Sequence, residues 1–166
     1  PPLLVVFPSG FPGRAQPAFD PEAQIFADLG FAVARLNHRA VAGVREPDQT
    51  ALRTAGDRVA VDDARTVLAW LATRPAARAF DRSCIVALGR GAGGGFVLRA
   101  LQLEAALFRA GITIEAPAET SAQSVLMLAE PARDNASRIA AYRRIEAFLR
   151  SQFPGQLVSL RGKEEK

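Results

Sequence analysis

Short runs of consecutive apolar residues alternate with longer stretches in which apolar side chains recur every three or four positions. The short runs are 3–7 (LLVVF), 31–36 (FAVARL), 84–89 (CIVALG), 111–115 (GITIE), 125–129 (VLMLA) and 157–160 (LVSL). Each is apolar at nearly every position, as a strand must be when helices cover both faces of its sheet. The longer stretches predict helices. Residues 21–29 follow Asp20, a good N-cap, and open on Pro21, which suits the first helical position. Residues 58–73 set Val59, Asp63, Thr66, Val67, Trp70 and Leu71 along one side, which predicts a core position for Trp70. Residues 92–108 follow a glycine turn. Residues 137–151 place Ile139, Tyr142, Ile145 and Leu149 inward, with Arg138, Arg143, Arg144 and Arg150 outward. Strand–helix alternation of this kind predicts a parallel sheet of about six strands with helices on both faces.

Two connections stand apart from that pattern. Residues 39–57 show little period and read as an exposed loop. Residues 116–124 join two strands with no helix between them, which is short for a parallel crossover and points to a brief excursion or to the loss of something larger.

Composition narrows the function classes. With 166 residues, 49% of them hydrophobic, the chain suits one globular domain over 1–166, with short tails at 1–2 and 161–166. Only Lys163 and Lys166 are lysines, so arginine supplies nearly all the basic charge behind the net +4, and it is scattered along the chain. Nucleic-acid binders concentrate such charge on one face, so no nucleic-acid partner is expected. The single cysteine, Cys84, opens an apolar strand and reads as a buried, inert thiol; it allows no internal disulfide and no metal-ligand spacing. No apolar run approaches the length of a membrane span, so no membrane partner is expected. The opening PPLLVVFP has neither a methionine nor a signal-like charged region and reads as an excised segment, with a cytoplasmic location the default expectation.

Candidate chemistry gathers at the glycine turn. In open α/β sheets the ligand crevice lies at the carboxyl ends of the strands, where strand order reverses. If the first strand is central, the loops PSGFPG (8–13) and RGAGG (90–94) flank that crevice, and both carry glycine. Gly89 and Gly93 frame Gly91 in the spacing of a nucleophile elbow, with glycine at the third position where a nucleophile would stand. Gly89, Gly91 and Gly94 also satisfy G-x-G-x-x-G between a strand and a helix, with Glu115 ending the next strand; this alternative predicts a nucleotide-binding module in which Arg90 helps hold an anion. His38, the sole histidine, sits at the end of the second strand on the crevice side, as a displaced general base or simply a loop residue. Asp62 and Asp63 read as first-turn residues complementing a helix dipole, Asp81 as part of the turn into the third strand, and Ser9 and Ser124 as turn or cap residues.

Several of these stretches resemble the catalytic domain of the prolyl oligopeptidase family, an α/β-hydrolase branch of serine peptidases. PLLVVFPSGFPG, then FDPEAQIFADLGFAVARLNHRA, is similar to the family's opening strand, its His-Gly-Gly-Pro-type loop, the helix near Phe-Asp-Pro-Glu and the strand ending in Asn-(Tyr/Phe)-Arg-Gly. DDARTVLAWLATRP and FDRSCIVALGRGAGGGFVLRAL resemble its next helix, its Asp-Arg step and its Gly-x-Ser-x-Gly elbow. LFRAGITIEAP and SVLMLAEPARDNASRIAAYRRIEAFL look like the following strands and helix. The likeness spans about residues 2–151 and implies an α/β-hydrolase-like three-layer sandwich, in shortened form.

Carried over position by position, the resemblance implies a site without its side chains. The nucleophile slot is Gly91. The acid slot falls near Ala132 or Asp134, of which only Asp134 carries a carboxylate. No histidine follows the elbow, and Ser9 replaces the family's histidine in the loop after strand one. The backbone N–H of Ala92 with that of Gly10 or Phe11 remains available as an oxyanion pocket, beside Arg90. The expectation is therefore a hydrolase domain that is catalytically silent, needs no cofactor, and offers its crevice to a peptide or small acyl ligand or to a protein partner. The remaining alternative is a weak hydrolase using His38 with a serine outside the elbow.

Overall fold

The structure is a computed structural model describing residues 1–9, 14–39, 58–74, 80–116, 124–128 and 134–157. In the first strand, β1 (Leu3–Phe7), Leu3, Val5 and Phe7 are buried in one apolar cluster and Leu4 in another. Alternate side chains leave a strand on opposite faces, so β1 must be covered on both. Strands β2 (Ala32–Arg35), β3 (Ile85–Arg90), β4 (Ala110–Ile114) and β5 (Val125–Leu128) complete the sheet, in the order β2-β1-β3-β4-β5. Every pairing is parallel, with Leu3 opposite both Ala32 and Ile85, and Ile112 opposite Leu126.

Helices form the outer layers. On one face lie α2 (Arg58–Ala72) and α3 (Ala92–Leu103), which bury Ala60, Ala64, Leu68, Phe96 and Val97 against Val5, Phe7 and Ala87. On the other lie α1 (Pro21–Asp28) and α4 (Asn135–Gln152), which bury Phe26, Ile145 and Leu149 against Leu4, Val86, Leu88 and Ile112. The result is a three-layer α/β/α sandwich. Asp20 caps α1 as the sequence predicts, its carboxylate accepting from the N–H groups of Glu22 and Ala23 at 3.0 and 3.3 Å, with Pro21 at the start of the helix. Cys84 is buried, and its thiol donates to Gln156 Oε1 at 3.1 Å. Asp81 binds both the N–H and the hydroxyl of Ser83, closing the turn into β3.

Several expectations require correction. Five strands stand among the described residues; of the sixth candidate, 158–160 lie outside them, as do 40–57 and 117–123 of the two irregular connections. The predicted stripe of the second helix is rotated: Trp70 is 52% exposed, with the Arg74 guanidinium 4.4 Å above its ring. The small residues Ala60 and Ala64 face the sheet instead, because a helix lies closest where its side chains are smallest. Asp62 and Asp63 fall beyond the first turn of α2, and Asp63 accepts from the backbone N–H of Arg39 at 2.7 Å and pairs with its guanidinium. Helix α3 ends at Leu103 rather than 108, which releases Phe108 to pack 6.4 Å from Phe7, ring to ring. Ile139, expected inward, is 54% exposed; α4 starts at Asn135 and turns Ile145 and Leu149 to the core.

Candidate functional site

Strand β1 lies inside the sheet, and the chain turns left from it to β2 and right to β3. The carboxyl ends of β1 and β3 therefore border the place where strand order reverses, which is where open α/β sheets form their crevice. The two glycine-bearing loops singled out in the sequence leave from these ends. Of the first, Ser9 is described, whereas Gly10 and Phe11 lie outside the described residues.

The turn from β3 into α3 is built by glycines with different duties. A Cβ at Gly89 would strike the carbonyl of Gly93, one at Gly93 the carbonyl of Pro8, and one at Gly94 the Cβ of Ala116. These three are glycine because neighbouring chain occupies the space. Gly91 differs. Its φ of 50° and ψ of −123° form a conformation that L side chains rarely adopt, yet among the described residues a Cβ there would meet only the Ser9 carbonyl oxygen, at an ordinary 3.5 Å. The N–H of Gly91 donates to Ile114 O at 2.8 Å, which ties the turn to β4. Helix α3 has no side-chain cap; the Gly94 N–H turns back to Gly91 O at 3.0 Å, while the N–H groups of Ala92 and Gly93, the first two helical positions, have no intrahelical acceptor.

The other predicted residues are engaged elsewhere. Arg90 pairs with Glu22 of α1 at 2.6 Å, and its Nη2 also donates to the Tyr142 hydroxyl of α4 at 3.3 Å. Tyr142 in turn donates to Glu22 Oε1 at 2.9 Å. Burial opposes the Arg90 charge, but the Glu22 carboxylate outweighs it and holds the guanidinium above its ordinary value. Burial, then the charge of Glu22, pushes the Tyr142 phenol up to about 12. Arg90 is thus already compensated by an acid of this chain, which weakens its expected role as an anion holder. Sequence reasoning missed Glu22 and Tyr142; the only local sign was an acid in the first turn of α1.

Asp134 is the N-cap of α4, accepting from the N–H and hydroxyl of Ser137 at 2.7 and 2.6 Å, and those bonds hold its carboxyl below the usual range. His38 is 4% exposed, its ring edge-on to Phe96 of α3 with centroids 5.1 Å apart. Burial lowers its pKa, and the Asp63 charge only partly offsets that. His38 lines neither cavity of the crevice. One of these, of about 200 Å³, is bordered by Pro8, Ser9, Arg14, Arg35, Gly89 and Arg90. The other, of about 340 Å³, lies beyond the Arg90–Glu22 pair, between α1 and α4. Among the described residues no group of three or more His, Cys, Asp or Glu side chains is placed to hold a metal ion.

Comparison with known proteins agrees with this geometry. A model of the prolyl oligopeptidase family matches residues 17–128, more than half of the chain. The turn at 89–94 lies inside that match and Asp134 outside it. A solved structure from a structural and mechanistic study of two prolyl endopeptidases is similar over 69% of this chain, with 19% identity and a TM-score of 0.58. At that identity the likeness is one of fold, and the chain spans only 16% of that protein's length. No curated protein matches the chain.

Proposed function

The chain belongs to the prolyl oligopeptidase family, and from that premise we propose that it is an α/β-hydrolase-like domain emptied of its nucleophile at Gly91, silent toward peptide and ester bonds, and acting by binding a peptide-like ligand in the crevice. The observation that carries this reading is the conformation of Gly91. The turn keeps a positive φ and leaves room for a side chain, while the glycines on either side have no such room. A tight turn that needed glycine only for packing would crowd the third position as it crowds the first and fifth. Among the described residues this position is uncrowded, and it holds no side chain.

The chemistry follows from what is missing. Acyl transfer by a serine peptidase needs an oxygen to attack the carbonyl carbon, a base to take its proton, and donors for the oxyanion. Gly91 offers no oxygen. His38, the one histidine, is packed against Phe96 and precedes Gly91, whereas the histidine of an α/β-hydrolase follows the nucleophile and the acid. The N–H of Ala92 at the uncapped start of α3 remains as a donor for a carbonyl oxygen, which suits binding more than turnover.

The nucleotide reading has less support. In dinucleotide folds the glycine fingerprint follows the first strand, whereas here it follows β3, and Arg90, which would help hold the anion, is already paired with Glu22. The test is hydrolysis of a chromogenic peptide amide and of a p-nitrophenyl ester across neutral pH. The expected result is no rate above the protein-free reaction. Amide turnover proportional to protein concentration overturns the proposal.

A further inference from the structure

The 340 Å³ cavity between α1 and α4 is at the small end of ligand-pocket volumes and touches the glycine turn through Arg90 alone: Ser9, Gly91 and Ala92 are not part of its lining. Its apolar surface comes from Ile25, Ile114, Leu128 and Ile145, one residue or more from each of α1, β4, β5 and α4. Its charged groups divide into two kinds. Asp20 is paired with Arg35 at 3.2 Å, and Glu22 with Arg90, so these four cancel within the chain. Glu115 and Arg138 also line the cavity. Neither has a salt-bridge partner among the described residues, and they do not pair with each other. Among the described residues, an anion and a cation without charge partners therefore line one cavity that also has an apolar wall.

Glu115 carries a second mark. It is the one residue other than glycine with positive φ among the described residues, at 56°. Its N–H donates to Leu128 O at 2.8 Å, which fixes this backbone between β4 and β5. Such strain concentrates at ligand clamps because the surrounding structure must hold it in place. A ligand of a single charge would satisfy one of the two groups and leave the other unmatched. A zwitterion with an apolar body satisfies both.

We propose that this cavity binds a free apolar α-amino acid, with its carboxylate on Arg138, its ammonium on Glu115 and its side chain over Ile25, Ile114, Leu128 and Ile145. Arg138 lies on the same face of α4 as Tyr142 and Ile145, which also line the cavity, so the carboxylate and the apolar side chain are held by one helix. The proposal does not depend on whether the Gly91 turn is silent.

Calorimetric titration with L-leucine, L-leucinamide and N-acetyl-L-leucine tests it. On the unsubstituted chain leucine binds one to one, and each blocked analogue binds roughly tenfold more weakly, the loss of one charged hydrogen bond. Arg138→Gln weakens leucine by a similar factor and leaves leucinamide unchanged, since the amide never used that arginine. Glu115→Gln weakens leucine and leucinamide and leaves N-acetyl-leucine unchanged. Both side chains are exposed, and a melting curve for each variant confirms folding. Absence of leucine binding, analogues that bind as tightly as leucine on the unsubstituted chain, or a variant that binds leucine as tightly as the unsubstituted chain overturns the proposal.

Discussion

Alanine at Gly91 and alanine at Gly93 add the same methyl group two residues apart, and the structure assigns them unequal costs. At Gly91 the new Cβ has one neighbour within 4 Å among the described residues, the Ser9 carbonyl oxygen at 3.5 Å, so none of them has to move. The cost is that of holding an L-residue at φ 50°, about 1–3 kcal/mol. At Gly93 the Cβ would collide with the Pro8 carbonyl oxygen and lie 3.1 Å from both Phe7 O and Pro8 C. Those atoms end β1, which is paired on both sides with β2 and β3, so the strand cannot yield without breaking the centre of the sheet. A backbone collision of this kind costs at least ~3 kcal/mol, and more where relaxation is blocked. Against a total stability of about 5–15 kcal/mol, Gly91→Ala folds and Gly93→Ala loses a large part of its margin. Urea unfolding measures both, with an unchanged m-value certifying that only stability has moved. The Tm of Gly91→Ala falls by roughly 2–12 °C at about 2–4 °C per kcal/mol. Gly91→Ser carries the same backbone cost and produces no peptide-amide turnover, because a lone hydroxyl has no base to accept its proton. Equal destabilisation by Gly91→Ala and Gly93→Ala refutes the reasoning.

Three further outcomes rest on single groups. The chain has one tyrosine, so the phenolate absorbance reports Tyr142 alone; its midpoint is expected near 12 rather than 10, and an ordinary midpoint would mean that the ring is not buried beside Glu22 in solution. With the folded value raised, this group's contribution to stability is complete below pH 10 and declines as pH rises toward 12, a loss that Tyr142→Phe removes. His38, the sole histidine, has the opposite sign: burial lowers its folded pKa below 6.5, so stability falls as pH drops from 6.5 through the folded value. His38→Phe flattens that part of the stability profile, and the imidazole proton resonances report the midpoint directly. Thr113 is buried with its hydroxyl lacking a partner among the described residues, so Thr113→Val raises stability by about 1 kcal/mol in urea unfolding; a loss would mean that the hydroxyl is satisfied.

The strands were the most legible elements because both faces of the sheet are covered. Leu3 to Phe7 and Ile85 to Leu88 had to be apolar without interruption, which leaves little room for another reading. Helix α1 announced its start because Asp20 and Pro21 act locally. The register of α2 was misread because Ala60 and Ala64, with Val61 and Leu68, form the buried side, and Trp70 sits beside Arg74 at the surface. Apolar spacing through Leu107 and Phe108 concealed the end of α3, since Phe108 serves the core from a turn. At the site, Gly91 was legible because strand, turn and helix are adjacent in sequence. The Glu22–Arg90–Tyr142 cluster was not, since its members are separated by 68 and 120 positions and meet only after the sheet forms. Asp134 drew attention by its type and position, but its carboxylate is used by Ser137 to begin α4.

The central claim is that a member of a serine-peptidase family retains the fold and the turn while lacking an activated nucleophile. Intact-mass analysis after incubation with an organophosphonate serine probe measures this directly, since the probe reacts only where a serine hydroxyl is made nucleophilic by its surroundings. The account predicts an unmodified mass. A stoichiometric adduct, mapped by peptide sequencing to any serine of the chain, would contradict it and identify the residue that does the chemistry.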